Sequence, residues 1–173
     1  MKAVRLRTEY MENPIGIDIV APRLYWNAEG GTKQTAYQII AKSGGKIIWN
    51  TGKVASSRMT HILYEGQPLH SREKVYWSVK LWDENGEGGE ISTGSFEMGL
   101  LEKEDWKAEW IEPENEVDIN ARKPAPYLRK NFDVKQGLVS ARIYQTAHGL
   151  YEFWINGEEG TLDRFKPGLT SYY

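Results

Sequence analysis

Hydrophobic and polar residues alternate most cleanly in Val75-Tyr76-Trp77-Ser78-Val79-Lys80-Leu81-Trp82-Asp83. On an extended chain Val75, Trp77, Val79 and Leu81 share one face, and Tyr76, Ser78, Lys80 and Trp82 share the other. A period of two, carried by β-branched and aromatic residues, predicts a central, half-buried antiparallel strand rather than an amphipathic helix. Burying an indole removes roughly 150–250 Å² from water, so Trp77 dominates whatever core it joins. Glu84-Asn85-Gly86 comes next with residues that tolerate positive φ, the signature of a hairpin turn.

Weaker versions of the pattern flank this strand. Residues 5–11 read as an edge strand and Asn13-Pro14-Ile15-Gly16 as a turn. Residues 23–27 place Leu24 and Trp26 on one face, and residues 36–43 place Tyr37, Ile39 and Ala41 together. Gly44-Gly45 signals a two-residue hairpin into residues 46–50, with Ile47 and Trp49 as the inward pair. Residues 61–64 form a weaker strand and residues 91–98 the last one. About seven short strands between turn signals predict an immunoglobulin-like or fibronectin type III sandwich over residues 1–99.

Residues 100–105 are charged with little alternation and read as a linker. A second β unit then spans residues 106–173, with strands at 127–132, 141–146 and 149–155 and a hairpin at Asn156-Gly157. Tyr151, Phe153 and Ile155 form the apolar face of the third. There is room for about four or five strands where a jelly roll wants about eight, so this unit reads as the truncated N-terminal part of a jelly-roll β-sandwich. A further strand is expected at residues 170–173. Unpaired edges of such a sheet invite a second chain, which makes a homodimer one reading.

Composition narrows the classes. A formal net charge of −2 carries no basic footprint for nucleic acid. The absence of cysteine excludes disulfides, thiolate metal sites and a cysteine nucleophile. No apolar run approaches the roughly 20 residues a membrane helix needs. The first nine residues lack the apolar core of a signal peptide, so a cytoplasmic location is expected.

Several stretches also resemble a known family in their order and spacing. They are Asn13-Pro14-Ile15-Gly16-Ile17-Asp18, Pro22-Arg23-Leu24-Tyr25-Trp26, Gln34-Thr35-Ala36-Tyr37-Gln38-Ile39 and Trp49-Asn50-Thr51-Gly52-Lys53-Val54. Farther on come Trp106-Lys107-Ala108-Glu109-Trp110-Ile111, Ala125-Pro126-Tyr127-Leu128-Arg129 and Gly149-Leu150-Tyr151-Glu152-Phe153-Trp154-Ile155-Asn156-Gly157. Together they resemble the start of bacterial α-L-rhamnosidases of glycoside hydrolase family 78. The resemblance implies a fibronectin-like sandwich followed by a β-sandwich that helps bind substrate. It also implies a parent enzyme that releases terminal α-L-rhamnose with inversion. The catalytic (α/α)6 barrel of that family lies farther along the polypeptide, so no catalytic residue maps onto this chain, which alone is expected to be inactive. Its implied partners are that barrel and rhamnose-containing glycans, with no cofactor.

The residues themselves offer little chemistry of cleavage. An inverting glycosidase needs two carboxyl groups roughly 6.5–9.5 Å apart across a pocket. Glu152 and Asp163 are the nearest to a candidate pair, and they read as surface charges. The acidic run Glu112, Glu114, Glu116, Asp118 lacks the glycine turn of a dedicated calcium loop, so no metal is expected. His61, His70 and His148 show neither metal-ligand spacing nor a nucleophile-base order. Sugars stack on Trp or Tyr while Asp, Asn, Arg and Glu fix their hydroxyls. Trp154 lies on the Glu152 side of its strand, and Asp163-Arg164 come after the hairpin. Trp154, Glu152, Asp163 and Arg164 are therefore the candidate substrate-binding residues, against a reading in which Trp154 packs on a neighbouring module. The alternative for the whole chain is a stand-alone carbohydrate-binding or dimerising β-sandwich.

Overall fold

A computed structural model describes residues 1–114, 125–161 and 163–168. The chain divides into two compact units, Met1–Ile111 and Glu112–Tyr173. The first contains β1 (Lys2–Thr8), β2 (Ile15–Ile17), β3 (Arg23–Glu29), β4 (Ala36–Ser43), β5 (Lys46–Asn50), β6 (Ile62–Leu63), β7 (Lys74–Trp82) and β8 (Gly88–Met98). One sheet has the order β1-β3-β6 and the other β2-β8-β7-β4-β5. The expected all-β sandwich is present, with the alternating strand β7 at the middle of the larger sheet.

Trp77 occupies the core of this unit, and the strand register explains how an indole fits there. It lies directly opposite Ala41 on β4 and Gly94 on β8, the two small residues of its neighbourhood. A Cβ on Gly94 would stand 3.2 Å from Trp77 Nε1 and 3.4 Å from Leu6 Cβ, so the missing side chain lets β1 and the indole close onto β8. Ser92 Oγ donates to the Ala3 carbonyl at 2.6 Å, tying β8 to the opposite sheet. Around Trp77 pack Leu24, Trp26, Ile39, Val75, Val79, Leu81, Phe96 and Met98. The second buried indole has its polar atom satisfied: Trp26 Nε1 donates to Gln34 Oε1 at 3.0 Å. Gln34 Nε2 in turn donates to the carbonyls of Ser56 and Arg58, holding the long connection after β5 against the core.

The structure redraws several boundaries. The expected strand 5–11 ends at Thr8, because Glu9 and Tyr10 form a two-residue turn with φ of 48° and 70°. Thr8 and Met11 exchange backbone hydrogen bonds of 2.9 and 3.0 Å across it. The expected turn at 13–16 runs directly into β2, which pairs in parallel with the end of β8. On β5 the register shifts beside Ala41 and Lys42, so Ile47 is exposed and Ile48 packs on the core with Trp49.

Residues 100–105, read as a linker, are fastened to the first unit. Leu101 packs against its core and its backbone N–H donates to Ser71 Oγ at 2.8 Å. Ser71 donates in turn to the Asp105 carboxylate, and Arg72 Nη2 donates to the Asp105 carbonyl at 3.0 Å. A 3₁₀ turn over Lys103–Asp105 positions these groups. Of the charges that made the stretch look solvated, Asp105 is spent on this contact, while Glu102, Lys103 and Glu104 stay exposed. Trp106–Ile111 carries no strand and groups with the first unit, so the compact units meet at Ile111 and Glu112 rather than at Trp106.

In the second unit β9 (Leu150–Tyr151) pairs with β12 (Lys166–Pro167), and β10 (Trp154–Ile155) with β11 (Glu158–Glu159). Asn156 and Gly157 make the expected hairpin with φ of 52° and 86°. Residues 127–132 and 141–146 form no strand, and the expected strand 149–155 is split at Glu152-Phe153. The physical reason is visible in the burial. None of the described residues of this unit is buried, and Tyr127 and Val139 are 93% and 98% exposed. Alternation directs a strand only when something covers its apolar face. The strand expected at 170–173, and Glu116 and Asp118 of the acidic run, lie outside the described residues.

The slot around Trp77 makes a register-specific prediction. Gly94→Val should destabilise the first unit by about 1–3 kcal/mol through overpacking. Thr93→Val, one position along on the solvent face, should stay within about 0.5 kcal/mol of the parent. Urea unfolding monitored by tryptophan fluorescence reads both.

Candidate functional site: the hairpin of the second unit

The Asn156-Gly157 turn sets Trp154 opposite Glu159 across the β10–β11 hairpin. Glu159 Oε1 accepts an ion pair from Arg164 Nη1 at 2.5 Å, and the same guanidinium nitrogen donates to the Thr161 carbonyl at 3.3 Å. The hydrogen bond and charge of Glu159, with a smaller contribution from Glu152, raise the pKa of Arg164 against its partial desolvation. Two of the four predicted residues, Trp154 and Arg164, thus meet at Glu159, and Glu152 acts on Arg164 through its charge. The fourth turns away: Asp163 is bonded to Lys166, and its backbone N–H donates to Thr161 Oγ1 at 3.1 Å. Glu159 went unremarked in the sequence, although hairpin arithmetic points to it. Trp154 stands two residues before Asn156 and Glu159 two residues after Gly157.

This surface offers a half-exposed indole on the same hairpin as an ion-paired carboxylate and guanidinium, the kinds of group that stack on and hydrogen-bond to polyols. It does not offer a general acid at Asp163. The Lys166 ammonium holds that carboxyl below the ordinary carboxylate range, the reverse of what protonating a leaving group requires. Among the described residues no three His, Asp or Glu gather as a metal site.

The first unit carries a second polar and aromatic cluster that the sequence reading missed. Glu9 accepts from the Arg23 backbone N–H at 2.5 Å, from Nε at 3.1 Å and from Nη2 at 2.5 Å. Arg23 also lies 5.2 Å from the Tyr10 ring centroid. The Tyr10 ring covers Tyr25, with centroids 4.8 Å apart, and His61 meets Tyr25 edge-on at 5.1 Å. Burial first, then the neighbouring Tyr10 hydroxyl, pushes the Tyr25 phenol up to about 12. Despite that proximity, the Tyr25 hydroxyl makes no hydrogen bond of good geometry. Fourteen and fifty-one residues separate the main partners in sequence, so no local spacing announces the group. Elsewhere in the unit, Glu84 is lowered to about 2 by its own backbone N–H and those of Lys33 and Thr32, which fastens the 32–33 loop to the β7–β8 turn.

Three- and five-stranded sheets closed over one core define the first unit as an immunoglobulin-like β-sandwich. The family model described as "Rha78A-like, N-terminal immunoglobulin domain" matches residues 3–102, and the chain belongs to that family. An α-L-rhamnosidase of Formosa agariphila is 37% identical over 95% of this chain and 20% of its own length. One from Alteromonas sp. (strain LOR) is 37% identical over 92% of this chain and 19% of its own. Among solved structures, Streptomyces avermitilis α-L-rhamnosidase complexed with L-rhamnose superposes with a TM-score of 0.59 at 34% identity, covering 64% of this chain and 12% of that one. The α-L-rhamnosidase from Dictyoglumus thermophilum gives 0.58 at 36%, covering 65% and 14%. The chain therefore spans about a fifth of the length of the curated relatives it matches.

The Glu9–Arg23 pair predicts a pH dependence. The Arg23 hydrogen bonds hold the Glu9 carboxyl below its ordinary value of 4.5, against the opposing pull of burial. A carboxyl more acidic in the folded state adds stability that is fully present above the unfolded value and lost as pH falls through the folded one. Unfolding free energy of the chain should therefore decline below about pH 4.5, and Glu9→Gln should flatten that decline. Urea titrations at a series of pH values measure it.

Proposed function

We propose that this chain is the N-terminal, non-catalytic segment of an α-L-rhamnosidase. The observation that carries this reading is the asymmetry of coverage: relatives named α-L-rhamnosidase match nearly all of this chain and only about a fifth of themselves. In this reading the parent hydrolyses terminal α-L-rhamnosides with inversion, using carboxyl groups outside residues 1–173. The immunoglobulin-like unit braces the catalytic part. The second unit is the opening portion of a jelly roll, and polypeptide outside this chain covers its apolar side chains. Their exposure, and the shortness of every strand there, support that reading. Trp154, Arg164 and Glu152 supply a contact surface for rhamnose-bearing glycans, and Asp163, paired with Lys166, stands apart from it.

Extending the coding sequence past Tyr173 and assaying a chromogenic α-L-rhamnoside tests the proposal. The extended protein should hydrolyse it and residues 1–173 alone should not. Turnover by the short chain, or none by the extended one, would overturn the reading. For the glycan surface, Trp154→Ala should weaken rhamnose binding about three- to tenfold in calorimetric titration, the worth of one stacking contact of about 0.5–1.5 kcal/mol.

A further inference from the structure

The outer face of the three-stranded sheet has no role in the reading above. Leu24 and Trp26 point into the core, so Arg23 and Tyr25 between and beside them point outward. Arg7 lies opposite Tyr25 in the β1–β3 register and therefore shares this face. Arg58 is tied to the edge of the group, its Nη2 donating to the His61 carbonyl at 2.8 Å. Tyr10 lies over the group, 55% exposed, while Tyr25 beneath it is 7% exposed.

Two features distinguish this face from ordinary surface. The first is strain: Glu9, Tyr10 and His61 all hold positive φ, a conformation L residues with side chains adopt at a cost. The contacts that offset that cost fix one arrangement, with Tyr10 stacked on Tyr25 and its hydroxyl 3.3 Å from His61 Nε2. The second is charge. Glu9, the carboxylate of the cluster, is consumed by Arg23. Among the described residues neither Arg7 nor Arg58 takes part in an ion pair, so the cluster is left net positive on a chain of net charge −2. Tyrosine and arginine on a prefixed, half-exposed surface are the residues that dominate macromolecular interfaces. Tyr10 stands over the sheet rather than lining a cleft of the kind that encloses a small ligand.

We propose that Tyr10, Arg7, Arg23, Arg58 and His61 form a docking surface for a carboxylate-bearing polypeptide segment, supplied by the remainder of the parent polypeptide. Charge complementarity selects the acidic segment. Its source rests on the proposed function, since most of each relative lies outside the matched region. The partner's carboxylates pair with Arg7 and Arg58 while an apolar contact lies on the Tyr10 ring, and Glu9 keeps Arg23 in place as the floor.

Amide spectra of labelled residues 1–173, titrated with an oligo-glutamate peptide, an oligo-glutamine peptide and glucuronate, test the surface. Oligo-glutamate should shift the Tyr10, Arg23 and His61 signals, and the affinity should fall steeply with added salt. Tyr10→Ala and Arg7→Ser should each weaken it about tenfold, Arg7→Ser with the melting temperature unchanged. No shift, equal shifts with oligo-glutamine, the same shifts with glucuronate alone, or indifference to Tyr10→Ala would each overturn the proposal. For the source, Arg7→Glu should lower the melting temperature of the extended protein by several degrees while sparing residues 1–173; equal effects on both would overturn docking in cis. Failure of these arms alongside rhamnoside hydrolysis by the extended protein removes the docking surface alone.

Discussion

The first unit depends on fitting one indole between two strands. Side chains directly opposite each other on neighbouring strands stand about 4.5–5.5 Å apart, which leaves no room for a tryptophan flanked by two large residues. Trp77 is flanked by Ala41 and Gly94, and this choice of neighbours selects the register of β4, β7 and β8. A slip of one residue on either side would bring Ile40 or Lys42, Thr93 or Ser95, beside the indole and turn a whole face of the strand outward. Gly94 serves twice, because the space it leaves also admits Leu6 from the opposite sheet. Register within one sheet and closure between the two are thus one constraint.

That physics decides how much of this unit the sequence discloses. Period-two alternation in β7 and β4, and the glycine-bearing turn at Gly44-Gly45, can be read from neighbouring residues because the forces that set them are local. The Glu9-Tyr10 turn has the same two-residue geometry and none of the same residues. It is held by Arg23 and Tyr25, contacts that exist only once the sheet has formed, so nothing in residues 8–11 reveals it. The parallel pairing of β2 with β8 is hidden for the same reason, as its partners are some eighty residues apart. Ile47 and Ile48 exchanged places because a bulge is a single-residue shift that alternation cannot foresee.

The second unit shows the limit from the other side. Its strand-like stretches alternate less regularly than β7, and residues 127–132 and 141–146 stay without strand pairing. A period-two pattern states which face wants to be buried and says nothing about whether a partner is at hand. The hairpin at Asn156-Gly157 forms regardless, since a turn of that chemistry needs only its own four residues. The candidate site inherits this division. Trp154 and Glu159 are placed by the hairpin and were recoverable by counting from its turn. Arg164 and Asp163 are placed by the particular acid or base each one reaches, which counting does not disclose.

The end of the first unit is fastened rather than free. Gly99 donates to the Ile17 carbonyl at 2.7 Å and accepts from the Arg72 backbone at 3.0 Å, so the chain leaving β8 is gripped from both sides. A Cβ on Gly99 would lie 3.3 Å from the Gly16 carbonyl, and the glycine allows that approach. Leu101 then drops onto the core, and Ser71 and Arg72 fasten Asp105. Each contact adds little alone, because the polar ones are exposed or partly exposed. Acting in series over seven residues they remove the freedom that a charged linker would have. The stretch that follows β8 is therefore a fixed part of the sandwich rather than a free tether.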